Sequence, residues 1–172
     1  MGLIHIELFA TLDLVGQAPG GPDEDPEGGF PFGGWQAPLL DEVAGAQVGA
    51  AYEGTDALLL GRRTYDIFAA YWPDQDGGED DEIATLFNSV PKYVASRGRP
   101  DLSWAGSTQL GPDLPGAVRE IRDRHEHVKV VGSLAAFLGK DTQQAGDTLA
   151  RFTALVAADR GDGRFRASLG LR

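Results

Sequence analysis

The sequence predicts a single α/β domain whose central sheet is mostly parallel and flanked by helices. Segments typical of strands alternate along the chain with segments of helical periodicity, which is the pattern of parallel strands joined by crossover helices. The length of 172 residues and the hydrophobic content of 42% suit one domain with a full core. We therefore expect one domain over residues 1–172, although the strand order is not readable from the sequence.

The first predicted elements are a strand over residues 3–9, where apolar and polar residues alternate, and a long loop. The loop covers residues 19–34, and its sixteen residues include six glycines and four prolines, which disfavour helix and strand alike. A loop of this length in a compact domain is usually functional or disordered. Phe30, Phe32 and Trp35 favour a packed, functional loop.

A helix–strand–helix unit comes next. Residues 38–52 carry apolar side chains at helical spacing, and Gly54 ends this helix. The apolar run at 55–60 predicts a buried strand, which leads at once into an aromatic-rich helix over 65–72 that Pro73 terminates.

Further elements follow an acidic stretch over residues 73–82 that indicates a solvated loop. The patterns predict helices at 81–87, 114–125 and 134–138, strands at 92–95 and 128–131, and a short strand within 98–111. Residues 149–157 suit a strand or a helix.

The composition limits the classes of ligand and macromolecule that the protein could bind. The chain has no cysteine, which excludes disulfides, cysteine zinc sites and thiol catalysis, and its three histidines offer little to a metal, so we expect none. A net charge of −11 argues against nucleic acid and anionic membrane surfaces as partners. With neither a signal pattern nor a spanning segment in the sequence, we expect a cytoplasmic protein.

Three junctions that follow predicted strands carry residues suited to anions. They are Gly61-Arg62-Arg63-Thr64, Ser96-Arg97 and Gly132-Ser133. Such strand ends are where open α/β sheets bind ligands. At the first junction, glycine allows a close turn, a helix start offers free N–H groups, and two arginines and a threonine add donors. The alternative is that these are ordinary exposed turns.

Together the junctions suggest a long, multiply phosphorylated small molecule such as a dinucleotide. Neither the G-x-G-x-x-G fingerprint nor the P-loop pattern is present. For acid–base chemistry the candidates are Asp13, after the first strand, and Asp41, near Trp35. Each of these carboxylates could face a substrate ring or could be a surface or capping residue.

Residues 57–68, Ala-Leu-Leu-Leu-Gly-Arg-Arg-Thr-Tyr-Asp-Ile-Phe, closely resemble the signature of the dihydrofolate-reductase-like superfamily. The resemblance is to the branch related to the reductase domain of the bacterial bifunctional riboflavin-biosynthesis deaminase-reductase. Four further motifs appear in the family's order. They are Thr11-Leu12-Asp13, Gly33-Gly34-Trp35 with Pro38, the stretch from Asn88 to Arg97, and Val131-Gly132-Ser133.

The resemblance covers about residues 1–135 and implies an NADPH-dependent oxidoreductase that reduces a small pterin- or pyrimidine-type heterocycle. It implies that Gly61, Arg62, Arg63 and Thr64 meet the cofactor's phosphates. Ser96 and Arg97 would lie at the adenosine 2′-phosphate, and Gly132 and Ser133 under the pyrophosphate. Trp35 and its loop would cover the substrate ring. A homodimer is also expected.

Two departures from the family pattern stand out. Leu14 replaces the glycine that usually follows the first-strand aspartate, and residues 145–172 keep only faint echoes of the family's closing strands. A shifted reading frame near residue 135 and genuine divergence both explain that stretch. The alternative function is therefore a non-catalytic NADP(H)- or nucleotide-binding module, and a structural protein without a ligand is the third reading.

Overall fold

The computed structural model describes residues 2–11, 15–75 and 81–132, which contain five β-strands and four α-helices. The strands are β1 (Leu3–Glu7), β2 (Ala57–Gly61), β3 (Lys92–Ala95), β4 (Ser107–Gln109) and β5 (His127–Val131). The helices are α1 (Glu42–Tyr52), α2 (Arg62–Tyr71), α3 (Asp81–Ser89) and α4 (Leu114–Arg124). Short 3₁₀ helices lie at Glu27–Gly29, Ala37–Leu39 and Trp72–Asp74.

The five strands form one sheet in the order β1-β5-β2-β3-β4, and every neighbouring pair is parallel. The predicted α/β fold with a parallel sheet flanked by helices is therefore confirmed. Strand β2 is buried along its whole length, which explains why its sequence is a continuous apolar run rather than an alternating one.

Helices cover the sheet on both faces, and each face has its own core. On one face, helices α1 to α3 contribute Tyr52, Tyr65 and Phe87, which pack with Leu58 and Leu60 of β2. The opposite face packs mainly against α4. Its core contains Val118, Ile121, Ala57, Leu59, Val128 and Val130.

Two helix starts differ from the predicted ones, and the ends of α2, α3 and α4 differ by one or two residues. The helix expected from residue 38 begins at Glu42, because Leu40 is extended and the Asp41 side chain accepts a hydrogen bond from Ala44 N and caps the helix. Helix α2 begins earlier than expected, at Arg62 directly after Gly61. The segments predicted at 134–138 and 149–157, and the divergent stretch 145–172, lie outside the described residues.

Candidate functional site

The parallel register brings the predicted junctions to one edge of the sheet. Gly61 at the end of β2 is level with Ala95 at the end of β3. On the other side of β2, Leu59 pairs with Val130 of β5, so that the ends of these two strands also lie side by side. Three segments therefore leave the sheet at this edge: Arg62 after β2, Ser96–Arg97 after β3 and Gly132 after β5. Ser133 lies outside the described residues.

The start of α2 has the geometry of an anion-binding helix N-terminus. Gly61 is its N-cap residue, extended at φ −70° and ψ 153°, and having no side chain it makes no side-chain capping hydrogen bond. The first backbone N–H groups of a helix have no partner within the helix, and the helix dipole places partial positive charge there. A strand that runs straight into a helix at a glycine thus leaves backbone donors without an intrahelical partner, which is the arrangement that binds phosphates at helix N-termini.

Gly132 lies against this helix start in close contact with Thr64. Its φ of +74° is in the left-handed region that favours glycine. A Cβ on Gly132 would lie 2.8 Å from Thr64 Cγ2 and 3.0 Å from Thr64 Oγ1. Thr64 itself is buried. The Gly61–Thr64 junction is therefore in contact with Gly132 of the junction after β5. Only a residue without a side chain fits at position 132.

Arg62 is exposed at the head of α2 and pairs with Asp66 one turn later. Its Nε lies 2.8 Å from Asp66 Oδ1 and 2.6 Å from Asp66 Oδ2. Both side chains are nearly half exposed, 47% for Arg62 and 45% for Asp66. Such surface pairs contribute little free energy, so that the guanidinium can exchange this partner for an anionic ligand at small cost.

Arg63 is held by the long loop instead. Its Nη2 lies 3.0 Å from Asp25 Oδ1, and its Nη1 contacts Glu27 Oε2. These two carboxylates were not among the residues that the sequence singled out. Acidic residues in a loop rich in glycine and proline look solvated, and nothing in the sequence pairs them with an arginine some forty positions later.

The Ser96–Arg97 junction is an ordered turn. Ser96 Oγ accepts a hydrogen bond from Gly98 N at 3.2 Å. Gln109, at the end of β4, donates from Nε2 to the carbonyl oxygens of Ser96 and Gly98. Arg97 is exposed beyond the end of β3. The turn therefore presents an arginine side chain at the same sheet edge as Arg62.

The long loop is closed at its base, where Trp35 is tied to the loop's other end. Trp35 is half-buried, and its Nε1 donates to Gln17 O at 2.9 Å. Backbone hydrogen bonds from Gly34 N to Ala18 O and from Gln36 N to Pro19 O close the loop at its base. The predicted packing is limited to this base, because nine of the sixteen residues at 19–34 are exposed, Phe32 at 68% among them.

Of the two candidate acids, Asp41 and Asp13, the structure describes only Asp41. Asp41 is exposed, and its Oδ1 accepts a hydrogen bond from Ala44 N at 2.8 Å as the cap of α1. That contact matches the capping alternative and leaves its second carboxylate oxygen for other partners. Asp13 lies outside the described residues.

The sequence did not predict a polar cluster that lies on the sheet near the ends of β1 and β5. Lys129 is buried, and its Nζ lies 3.1 Å from Glu7 Oε1. Burial and the charge of Glu7 raise the pKa of Tyr52, and burial, with Lys129 and His127 beside it, lowers the pKa of His5. A lysine inside an apolar strand was the available signal, because a buried charge needs a partner.

The histidines lie away from the sheet edge formed by the ends of β2, β3 and β5. His5 Nε2 and His127 Nδ1 are 3.3 Å apart, and the Tyr93 hydroxyl lies 2.9 Å from His125 Nε2. Among the residues that the structure describes, no group of three or more His, Asp or Glu side chains is arranged to hold a metal ion. No helix in the same part of the chain has the length and apolar character needed to span a membrane.

Neither a scan against protein-family models nor a search of curated proteins gives a match to this chain.

Proposed function

We propose that this protein is an NADPH-dependent reductase of the dihydrofolate-reductase-like type that acts on a small pterin- or pyrimidine-type ring. The observation that carries the proposal is the contact between Gly132 and Thr64 at the start of α2. It joins two of the three junctions that the sequence offers to an anion, beside an uncapped helix N-terminus. The ordered motifs of the sequence support the same reading.

The described residues fit the phosphates of such a cofactor. A pyrophosphate needs several N–H or hydroxyl donors on a surface that it can approach closely, and the helix start at Arg62 and the side-chain-free Gly132 supply such a surface. The charges near the site matter more than the acidity of the whole chain. Because Arg62 and Arg63 have Asp66, Asp25 and Glu27 beside them, the proposal relies on the backbone donors of the helix start and not on a net positive charge. Arg62 and Arg97 are both exposed at this edge and are the side chains we assign to a 2′-phosphate.

In the proposed reaction the chain supplies binding, orientation and shielding from water. The nicotinamide ring would supply the hydride that reduces the substrate. Gly61, Thr64 and Gly132 hold the phosphate end, and Ser96 shapes the turn that carries Arg97. The loop that bears Trp35 covers the substrate and excludes water, as closing loops do in other enzymes.

The proton that accompanies the hydride needs a donor. Asp41 and Asp13 are the candidate residues, and Asp41 can act only with the carboxylate oxygen that does not cap α1. Because Asp41, the one candidate that the structure describes, is not fully available as this proton donor, one alternative function is favoured: a module that binds NADP(H) without turnover. The proposal further places the protein in the cytoplasm and, from the family resemblance, as a homodimer.

Titration with NADPH and then with NADH, monitored by tryptophan fluorescence, tests whether the protein binds the proposed cofactor. Saturable quenching with a preference for NADPH is the expected result. Consumption of NADPH at 340 nm with a panel of pterins and pyrimidines then distinguishes a reductase from a binding module. A folded protein whose fluorescence responds to neither cofactor would refute the proposal.

A further inference from the structure

Arg63 stands beside Arg62 in the sequence, but its surroundings are different. Arg62 has one exposed carboxylate near it, whereas both terminal nitrogens of Arg63 contact carboxylates, from Asp25 and Glu27. The Asp25 side chain is only 15% exposed. Two negative charges therefore neutralise the one positive charge of Arg63, which leaves its guanidinium little attraction for a phosphate.

The carboxylates that hold Arg63 belong to a segment organised by one glutamine. Gln17 Nε2 lies 2.9 Å from Asp25 O and 2.9 Å from Glu27 O, so that a single amide group binds the backbone of both residues. The backbone carbonyl oxygen of Gln17 in turn accepts the hydrogen bond from Trp35 Nε1. A continuous chain of contacts thus runs from the guanidinium of Arg63 to the indole of Trp35.

The loop between these contacts is closed at its base, where its two arms approach closely. Ala18 is buried with a φ of +46°, and its carbonyl accepts a hydrogen bond from Gly34 N at 2.8 Å. A Cβ on Gly33 would lie 2.2 Å from Pro22 O, which shows how closely the two arms of the loop approach. The hydrogen bonds through Gln17, together with this closed base, are the path by which a displacement at Asp25 or Glu27 reaches Trp35.

We propose that Arg63 is a positioning residue that anchors this loop to α2 and thereby fixes the indole of Trp35, and that it is not a ligand of the cofactor phosphates. The inference rests on the proposed function only where it gives Trp35 a place beside the substrate. The anchoring itself is independent of any ligand. Arg62 and Arg63 accordingly have different tasks although they are adjacent and chemically identical.

Fluorine NMR of the protein labelled with 5-fluorotryptophan tests the anchor without any cofactor. The chain contains three tryptophans, which gives three resonances, and Trp35→Phe identifies the one from Trp35. Arg63→Gln should shift or broaden the Trp35 resonance and leave those of Trp72 and Trp104 in place. Arg62→Gln is the matched control and should leave all three unchanged.

Two further variants approach the same contacts from the loop. The double variant Asp25→Asn with Glu27→Gln keeps the side-chain shapes and removes their charges, and should reproduce the Trp35 change. It also keeps the test decisive if Arg63→Gln does not fold. Arg63→Lys should restore the resonance only partly, because an ammonium cannot contact both carboxylates with the geometry of a planar fork. An unchanged Trp35 resonance in the loop double variant overturns the proposal.

Cofactor titration then separates anchoring from phosphate binding. For Arg63→Gln we expect the NADPH dissociation constant to change by less than about threefold, the scale of a lost exposed ion pair. Arg62→Gln should raise it by about tenfold or more, through loss of a charged hydrogen bond. The reverse order overturns the inference for Arg63. If the wild-type protein binds no NADPH, the proposed function fails, while the NMR result still decides the anchor.

Discussion

Replacing Gly132 by alanine tests the contact on which the proposed site depends. The substitution has two costs that the structure separates. An alanine at a φ of +74° has the strain of the left-handed region, about 1–2 kcal/mol. Its Cβ would also lie 2.8 Å from Cγ2 of the buried Thr64, and overpacking against a buried side chain costs about 1–3 kcal/mol. We expect a total loss of about 2–5 kcal/mol in the free energy of unfolding.

Gly54→Ala is the matched control. Gly54 has a similar φ of +71°, but a Cβ there would lie 3.6 Å from its nearest neighbour, His127 Cδ2, which is ordinary contact. This variant therefore reports the backbone strain alone, about 1–2 kcal/mol. The difference between the two variants isolates the contact with Thr64.

The assay is urea unfolding followed by circular dichroism for both variants and for Thr64→Ser in each background. Thr64→Ser removes Cγ2, the closest atom, and should recover about 1 kcal/mol or more in the Gly132→Ala background, so that a coupling free energy appears. The serine change should show no such coupling with Gly54→Ala. Equal destabilisation by the two glycine variants, without coupling to Thr64, would refute the close approach of β5 to α2.

Three further predictions concern other parts of the molecule. Arg62→Ala should weaken NADPH binding by about 1.5–3 kcal/mol more than NADH binding, the value of one charged hydrogen bond, and equal weakening in parallel titrations would assign the 2′-phosphate to another residue. Burial, with the charge of Lys129, lowers the pKa of His5 below 6.5 in the folded protein. The unfolded chain therefore takes up this proton first, and the stability contributed by neutral His5 is complete above pH 6.5 and declines as the pH falls below it. In urea unfolding at several pH values, His5→Gln should lose less stability than the wild type between about pH 7.5 and about pH 5.5; parallel profiles would contradict this. Tyr65→Phe leaves the buried backbone N–H of Trp104, which donates to the Tyr65 hydroxyl at 3.0 Å, without that acceptor, and calorimetry should show a loss of about 1–3 kcal/mol; an unaltered melting profile would show that the N–H finds another acceptor.

Much of the fold could be predicted because β2, β3 and β5 contain short apolar runs next to glycine or proline, and β1 alternates. Strand β3 occupies the predicted residues 92–95, whereas β2, predicted at 55–60, spans Ala57–Gly61. The strand order could not be predicted, because β5 inserts between β1 and β2 by pairing with residues far away in the sequence. Local patterns contain no information on such pairings.

The candidate site was predictable to a smaller extent. Parallel strands bring their carboxyl ends to one edge, so that the neighbourhood of Gly61 and Gly132 follows once the sheet is known. The partners of Arg63 did not follow, because Asp25 and Glu27 are ordinary loop carboxylates until the loop closes on Gln17. Aromatic residues indicated a packed loop, but polar side chains hold it together.

The place of β1 in the sheet has a consequence for synthesis on the ribosome. Its hydrogen-bonded partner is β5, and the ion pair between Glu7 and Lys129 joins residues 122 positions apart. At about 5–20 residues per second, roughly 6–25 s pass between the emergence of β1 and that of its partner. Throughout this interval β1 has no neighbouring strand to pair with, and a ribosome that stalls before residue 127 leaves a fragment in which β1 lacks its native partner.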